Sequence, residues 1–89
     1  MTSKTTKRFR DALAQLPKDV RRQANESHKL FNQDPNHPSL RFKKVHATEP
    51  IWSARINIDY RALGFLDGGE IIWFWIGSHA DYDKLLKQL

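Results

Sequence analysis

The chain has 89 residues, which predicts one domain over 1–89 with a thin hydrophobic core. It has no cysteine, which excludes disulfides and thiolate metal sites, and no apolar run near the ~18 residues of a membrane span, so we expect no membrane-spanning helix. Fifteen Lys and Arg against ten Asp and Glu give a formal charge of +5, which favours phosphate-rich or acidic partners. With no apolar signal segment at the N-terminus, we expect a cytoplasmic protein.

The N-terminal third predicts a helical hairpin over about 6–32. Thr5 or Thr6 is a candidate N-cap, and apolar residues then recur at the i, i+3, i+4, i+7 spacing of one helical face. These residues are Phe9, Ala12, Leu13 and Leu16. Pro17 ends the first helix and suits the first turn of the second. We expect residues 1–4 to be a frayed start.

After a turn with two prolines at residues 33–39, the hydrophobic period changes to two, which predicts strands. We expect these strands at 40–47, 52–58, 60–66 and 70–76. Gly68 and Gly69 suit a hairpin turn, and Ser78 with Asp81 forms a capping box for a last helix at 80–89. The prediction is an α+β fold in which an N-terminal helical hairpin packs on a four-stranded antiparallel sheet, with a short C-terminal helix.

Side-chain alternation along the strands predicts a basic face of the sheet opposite the helical hairpin. The residues assigned to it are Lys44, His46, Arg55, Trp73, Trp75 and, just beyond the last strand, His79. Cations beside indole rings suit single-stranded RNA, since the charges bind phosphates and the flat rings stack on bases. Arg61 joins this face without conflict only if a bulge near Gly64 interrupts the alternation.

Several of these basic and aromatic residues also have a purely structural interpretation. Trp73 and Trp75 are of a type found more often in a core than on a stacking surface. Arg55 suits an ordinary surface ion pair worth about 0–1 kcal/mol. Lys43 and Lys44 suit an edge strand that resists aggregation.

The sequence lacks a metal-site spacing, a P-loop and a nucleotide fingerprint, so we expect no metal and no cofactor. Acid–base chemistry on RNA remains, because RNA carries its own nucleophile and needs a base, an acid and a cation at phosphorus. The candidate catalytic residues are His79 and His46 for proton transfer, Arg55 and Arg61 for the phosphate, and Tyr82 for the nucleotide or leaving group. The candidate RNA-binding residues are Lys43, Lys44, Trp73 and Trp75.

Four segments together resemble the RelE/ParE superfamily of type II toxin–antitoxin toxins. They are the Leu16-Pro17 bend, NHPSL at 36–40, WSARINIDYRAL at 52–63 and WFWIGSHADYDKLL at 73–86. The resemblance implies a toxin that a cognate antitoxin inhibits by binding across the basic surface. It also implies metal-independent cleavage of mRNA in the ribosomal A site, as in many members. The matching motif positions are Arg55, Arg61 and His79, and the looser matches are Lys44, His46 and Tyr82.

The resemblance leaves two points open. Members usually begin with a strand before the first helix, and the short segment available here implies that this strand is missing or very short. Some members inhibit DNA gyrase and cut nothing. A gyrase inhibitor of ParE type is therefore the alternative to a ribosome-dependent mRNA endonuclease, and a non-catalytic RNA- or protein-binding module is a third reading. A membrane is not among the expected partners.

Overall fold

The computed structural model describes residues 1–89 as one mixed β-sheet with two helices on one face and a third on the other. The elements in chain order are β1 (Thr2–Thr5), α1 (Lys7–Ala14), α2 (Lys18–Gln33), a 3-10 turn (Pro38–Leu40), β2 (Lys43–Lys44), β3 (Ile51–Arg55), β4 (Tyr60–Asp67), β5 (Glu70–Ser78) and α3 (His79–Gln88). The strand order is β1-β5-β4-β3-β2, with β1 parallel to β5 and the other neighbours antiparallel. No helix has the length and apolar character needed to span a bilayer.

The predicted α+β architecture is confirmed, but the sheet has five strands rather than four. The expectation of a frayed N-terminus is wrong, because residues 2–5 pair with residues 70–73 of β5. The hydroxyl of Ser3 accepts a hydrogen bond from Trp73 Nε1 at 2.9 Å and lies 2.8 Å from His28 Nε2. The segment is polar, so its sequence gave no strand pattern, and its partner supplies the missing backbone hydrogen bonds.

The helical hairpin and its caps follow the sequence closely. Thr6 caps α1 by accepting the backbone N–H of Phe9 at 3.1 Å, and Ser78 caps α3 by accepting that of Asp81 at 3.1 Å. Both helices of the hairpin bury one stripe against the sheet. The buried residues of this main core are Phe9, Ala24, Phe31, Leu40, Ala54, Ala62, Ile71, Trp73 and Ile76.

The first predicted strand, 40–47, is reduced to the two residues of β2. Residues 38–40 form a 3-10 turn, and Arg41 follows with a left-handed backbone at φ 45° and ψ 41°. An extended chain cannot pass through that conformation, so the strand begins only at Lys43.

A β-bulge in β5 separates the two tryptophans. Leu63 of β4 lies opposite Trp75 and Gly64 lies opposite Trp73, so Phe74 has no partner. A bulge is present near Gly64, but its extra residue lies in β5, so β4 keeps its alternation and Arg61 reaches the basic face without a bulge in its own strand. The prediction that both tryptophans share the basic face is wrong, because Trp73 is 5% exposed in the core under the helices.

Gly64 is needed for the sheet to pack at this bulge. A Cβ at this position would lie 2.7 Å from Cγ1 of Ile71 and 2.8 Å from Cε3 of Trp73. We expect Gly64→Ala to destabilise the protein by about 1–3 kcal/mol, because both neighbours are buried side chains without room to move. Urea denaturation followed by tryptophan fluorescence measures this change. An unchanged midpoint would contradict the packing described for β4 and β5.

Candidate functional site

α3 covers only part of the second face of the sheet. Its buried contact is Tyr82, which clusters with Ile51 and Leu63 of the sheet. Partly buried apolar residues surround this cluster: Val45, Phe74, Trp75, Leu85 and Leu86. The sheet beyond the N-terminus of α3 has no such cover, and the two arginines singled out in the sequence lie there.

Arg55 and Arg61 lie directly opposite each other on adjacent antiparallel strands. Residues that pair in this way point to the same face, so both guanidinium groups share the uncovered part of the sheet. Like charges in this arrangement destabilise a sheet by roughly 0.2–1 kcal/mol. Neither arginine forms a salt bridge, so the alternative that Arg55 joins a surface ion pair is not observed.

The two arginines differ in how their side chains are held. Arg61 donates hydrogen bonds from Nη1 to the carbonyl oxygens of Asn57 at 2.5 Å and Tyr60 at 2.9 Å. Burial lowers the pKa of the Arg61 guanidinium, and the charge of Arg55 lowers that pKa further. The side chain of Arg55 makes no hydrogen bond within the protein. Arg61 is therefore a fixed charge, whereas Arg55 has all its donors available to an anion.

His79 begins α3 at the edge of this basic surface. Its backbone N–H donates to the carbonyl oxygen of Asp59 at 2.7 Å, which ties the start of the helix to the β3–β4 loop. Its Nδ1 lies 3.0 Å from the carboxylate of Asp83 one turn later. This contact orients the imidazole and leaves Nε2 as the ring nitrogen without a partner in the protein.

Tyr82 lies beneath the imidazole and is 6% exposed. Its ring centroid is 5.8 Å from that of His79. The phenol donates a hydrogen bond to the hydroxyl of Ser53 on β3 at 3.2 Å. A buried phenol with a satisfied hydroxyl positions its neighbours, and it is less available to exchange protons with a ligand.

These side chains line a cavity of about 180 Å³. The lining residues are Arg41, Lys43, Ser53, Arg55, Arg61, His79 and Tyr82. Four of them carry a permanent positive charge, none is acidic, and none of the four forms a salt bridge. No group of three or more His, Asp or Glu side chains is arranged to hold a metal ion. We call this cavity the basic pocket; its charge suits a phosphate group.

Of the residues predicted from the sequence, the basic pocket gathers Lys43, Arg55, Arg61, His79 and Tyr82. Trp75 lies on the same side of the sheet, half-buried, with its ring 6.5 Å from that of Tyr82. This contact packs Trp75 against the C-terminal helix, which is a structural role rather than an open stacking surface. Trp73 lies on the other face and takes no part in the pocket.

The predicted positions of Lys44 and His46 are wrong. Lys44 lies opposite Trp52 and so faces the helical side, because the neighbouring Val45 packs in the cluster under α3. His46 is held at the other end of α3, where Nε2 lies 3.1 Å from the carbonyl oxygen of Leu89 and Nδ1 accepts the backbone N–H of Glu49 at 2.9 Å. At 1.5 Å per residue, the length of the helix places His46 about 15 Å from His79.

Sequence reasoning did not single out two residues of the basic pocket. Ser53 falls on the correct face by alternation, but nothing in the sequence linked its hydroxyl to Tyr82. The hydrophobic pattern predicts Arg41 as part of the strand at 40–47. The signal in the sequence is the preceding proline turn, PSL at 38–40. Arg41 follows this turn with a left-handed backbone and lines the pocket.

Comparison with known proteins gives one family and one fold. The family model for the ParE-like toxin domain matches residues 18–84. No curated protein sequence matches the chain. A chain of the archaeal RelE-RelB complex from Pyrococcus horikoshii OT3 is 22% identical, with 86% of this chain and 92% of that chain covered and a TM-score of 0.70.

Two further solved structures share the fold. YafQ from Escherichia coli BL21(DE3) is 10% identical over 90% of this chain and 94% of that chain, with a TM-score of 0.72. A chain of the RelB-RelE antitoxin-toxin complex from Methanococcus jannaschii is 18% identical, with 92% of this chain and 96% of that chain covered and a TM-score of 0.70. At these identities the likeness shows a common fold and leaves the chemistry to be argued from the pocket.

Proposed function

Because the chain belongs to the family of ParE-like toxin domains, and is thus a toxin of the RelE/ParE type, we propose that residues 1–89 form a single domain that cleaves mRNA on the ribosome. The observation that carries this proposal is the composition of the basic pocket. Four cations without carboxylate partners surround one oriented imidazole. That combination provides charge stabilisation for a phosphodiester and a group that transfers protons near neutral pH.

In the proposed reaction the 2′-hydroxyl of RNA attacks the adjacent phosphorus and the bond to the 5′-oxygen breaks. Arg55 and Lys43 bind the non-bridging oxygens, where negative charge increases in the transition state. Arg61 adds a fixed positive charge behind them. His79 transfers a proton at Nε2, because Asp83 holds Nδ1.

The basic pocket contains a single imidazole, whereas the reaction needs both a base and an acid. The phenol of Tyr82 is occupied by Ser53, so we assign it the role of positioning the imidazole. The second proton is then exchanged with water or with a group of the ribosome. This requirement is our reason for proposing a substrate bound on the ribosome in the cytoplasm rather than free RNA.

We also propose a cognate antitoxin as the partner that inhibits this toxin. The similar chains from Pyrococcus horikoshii and Methanococcus jannaschii were solved as RelE-RelB complexes. An antitoxin that offers carboxylates to Arg55 would neutralise the pocket and block access of the phosphate.

The proposed role of His79 predicts that His79→Ala lowers mRNA cleavage by about 10²–10⁴-fold, since a general acid–base group contributes that much. The measurement is primer extension on cellular mRNA after induced expression. His46→Ala is the matched control, because it removes an imidazole at the other end of α3 and should keep full cleavage. Equal cleavage by the parent and His79→Ala, or none by the parent, would contradict the assignment.

A gyrase inhibitor is the second candidate function. The matching family model is that of the ParE-like toxin domain, and the single imidazole of the pocket provides only half of an acid–base pair. In this case the basic pocket would dock acidic side chains of gyrase. Inhibition of purified gyrase in a supercoiling assay, with cellular mRNA left intact, would support this function over cleavage.

A further inference from the structure

A second depression adjoins the basic pocket on the side of α2. Its lining residues are Ser27, Pro38, Ser39, Arg41, Arg55, Ile56 and Asn57, and its volume is about 420 Å³. Arg41 and Arg55 also line the basic pocket. The two depressions are therefore neighbours that share two guanidinium groups.

The second depression has a polar lining without negative charge. It contains two hydroxyl side chains and an amide, and no acidic residue. The amide of Asn57 donates to the side chain of Gln23 on α2 at 2.6 Å and accepts the backbone N–H of Asp59 at 2.8 Å. These bonds fix the β3–β4 loop against α2, so the wall of the depression is held in place before any ligand arrives.

Arg41 occupies its position at an energetic cost. A left-handed backbone at a residue other than glycine costs roughly 1–2 kcal/mol. The hydrogen bond from the backbone N–H of Arg41 to the carbonyl oxygen of Pro38, at 3.2 Å, closes the 3-10 turn and holds this conformation. Backbone strain at a residue that borders two cavities is typical of a functional position.

From these features we infer that the second depression is an anion subsite for the next phosphate along the same RNA strand, with Arg41 and Arg55 between the two phosphates. This inference rests on the proposed function, because it needs one phosphate in the basic pocket. Each guanidinium has five donors in a planar fork, so it can serve oxygens on both sides. The substrate class is then single-stranded RNA with at least two consecutive phosphodiesters.

The test measures how RNA binding depends on salt. The protein is the full chain carrying His79→Ala, which prevents cleavage, and the probe is a fluorescein-labelled single-stranded RNA of nine nucleotides followed by fluorescence anisotropy. Each phosphate contact on a single strand contributes about −0.7 to the slope of log K against log salt. Ser39→Glu places a carboxylate in the second depression. We expect it to make the slope shallower by about 0.7 and to weaken binding about tenfold at low salt.

Thr48→Glu is the matched control, since it adds the same charge on an exposed turn outside both depressions and should leave the slope unchanged. If Arg55→Ala weakens binding while Ser39→Glu keeps the parent slope, the subsite is wrong and the proposed function stands. If the RNA does not bind at all, or Arg55→Ala has no effect on binding, the subsite is overturned, and primer extension with the parent and His79→Ala decides the proposed function separately.

Discussion

Replacement of Arg55 by alanine is expected to abolish toxicity without loss of stability. Arg55 provides the unpaired guanidinium of the basic pocket, and removal of one group that stabilises transition-state charge costs about 10²–10³-fold in rate. The same change removes the repulsion between two arginines that lie directly opposite in the sheet. We expect the free energy of unfolding to stay equal or to rise by up to about 1 kcal/mol.

Three measurements on Arg55→Ala check this result: growth after induced expression, mRNA cleavage by primer extension, and the urea midpoint of the purified protein. Arg22→Ala is the matched control, because Arg22 lies on the exposed side of α2 and pairs with Glu26. It should remain toxic. A lower urea midpoint for Arg55→Ala would show instead that this arginine supports the fold, and the loss of toxicity would then carry no mechanistic meaning.

The largest effect on stability is expected from Phe31→Ala. Phe31 is 2% exposed at the centre of the main core, where its ring makes edge contacts with Phe42 at 5.0 Å and Trp73 at 5.3 Å between centroids. Truncation of a buried phenylalanine costs about 3–5 kcal/mol. A domain of this size has only about 5–15 kcal/mol in total, so we expect a large fraction of the variant to be unfolded at 37 °C.

The exposed Phe65→Ala gives the matched comparison for Phe31→Ala. Phe65 is 38% exposed on the other face of the sheet, so its loss should cost about 1 kcal/mol or less. Urea denaturation of both variants, followed by circular dichroism, measures the difference. Similar midpoints for the two variants would contradict the placement of the main core under the helical hairpin.

Local patterns in the sequence were sufficient for most of the fold. The helical period, the proline at the bend and the Ser78 capping box are signals that act within one turn, and the structure contains each of them. The first strand could not be found in this way. Residues 2–5 are polar, and their strand exists only because the edge of β5, far away in sequence, supplies hydrogen bonds.

The candidate site was predictable where alternation holds and not where it is interrupted. Alternation along β3 predicts the face of Arg55. For Arg61 the sequence pattern required a bulge, yet β4 alternates regularly and Arg61 lies opposite Arg55 without one in its own strand. The unpaired Phe74 reversed the orientation of Trp73, and the left-handed Arg41 shortened β2 to two residues. Neither irregularity follows from the period of the hydrophobic residues, because each depends on packing between elements.

The parallel pairing of β1 with β5 has a consequence for the order of events during translation. Residues 2–5 are synthesised well before their hydrogen-bonding partners at 70–73. Contacts between such distant segments form slowly and only once both are outside the ribosome. His79 emerges later still. A ribosome that translates this toxin therefore meets no completed pocket on its own nascent chain until His79 and Tyr82 have emerged.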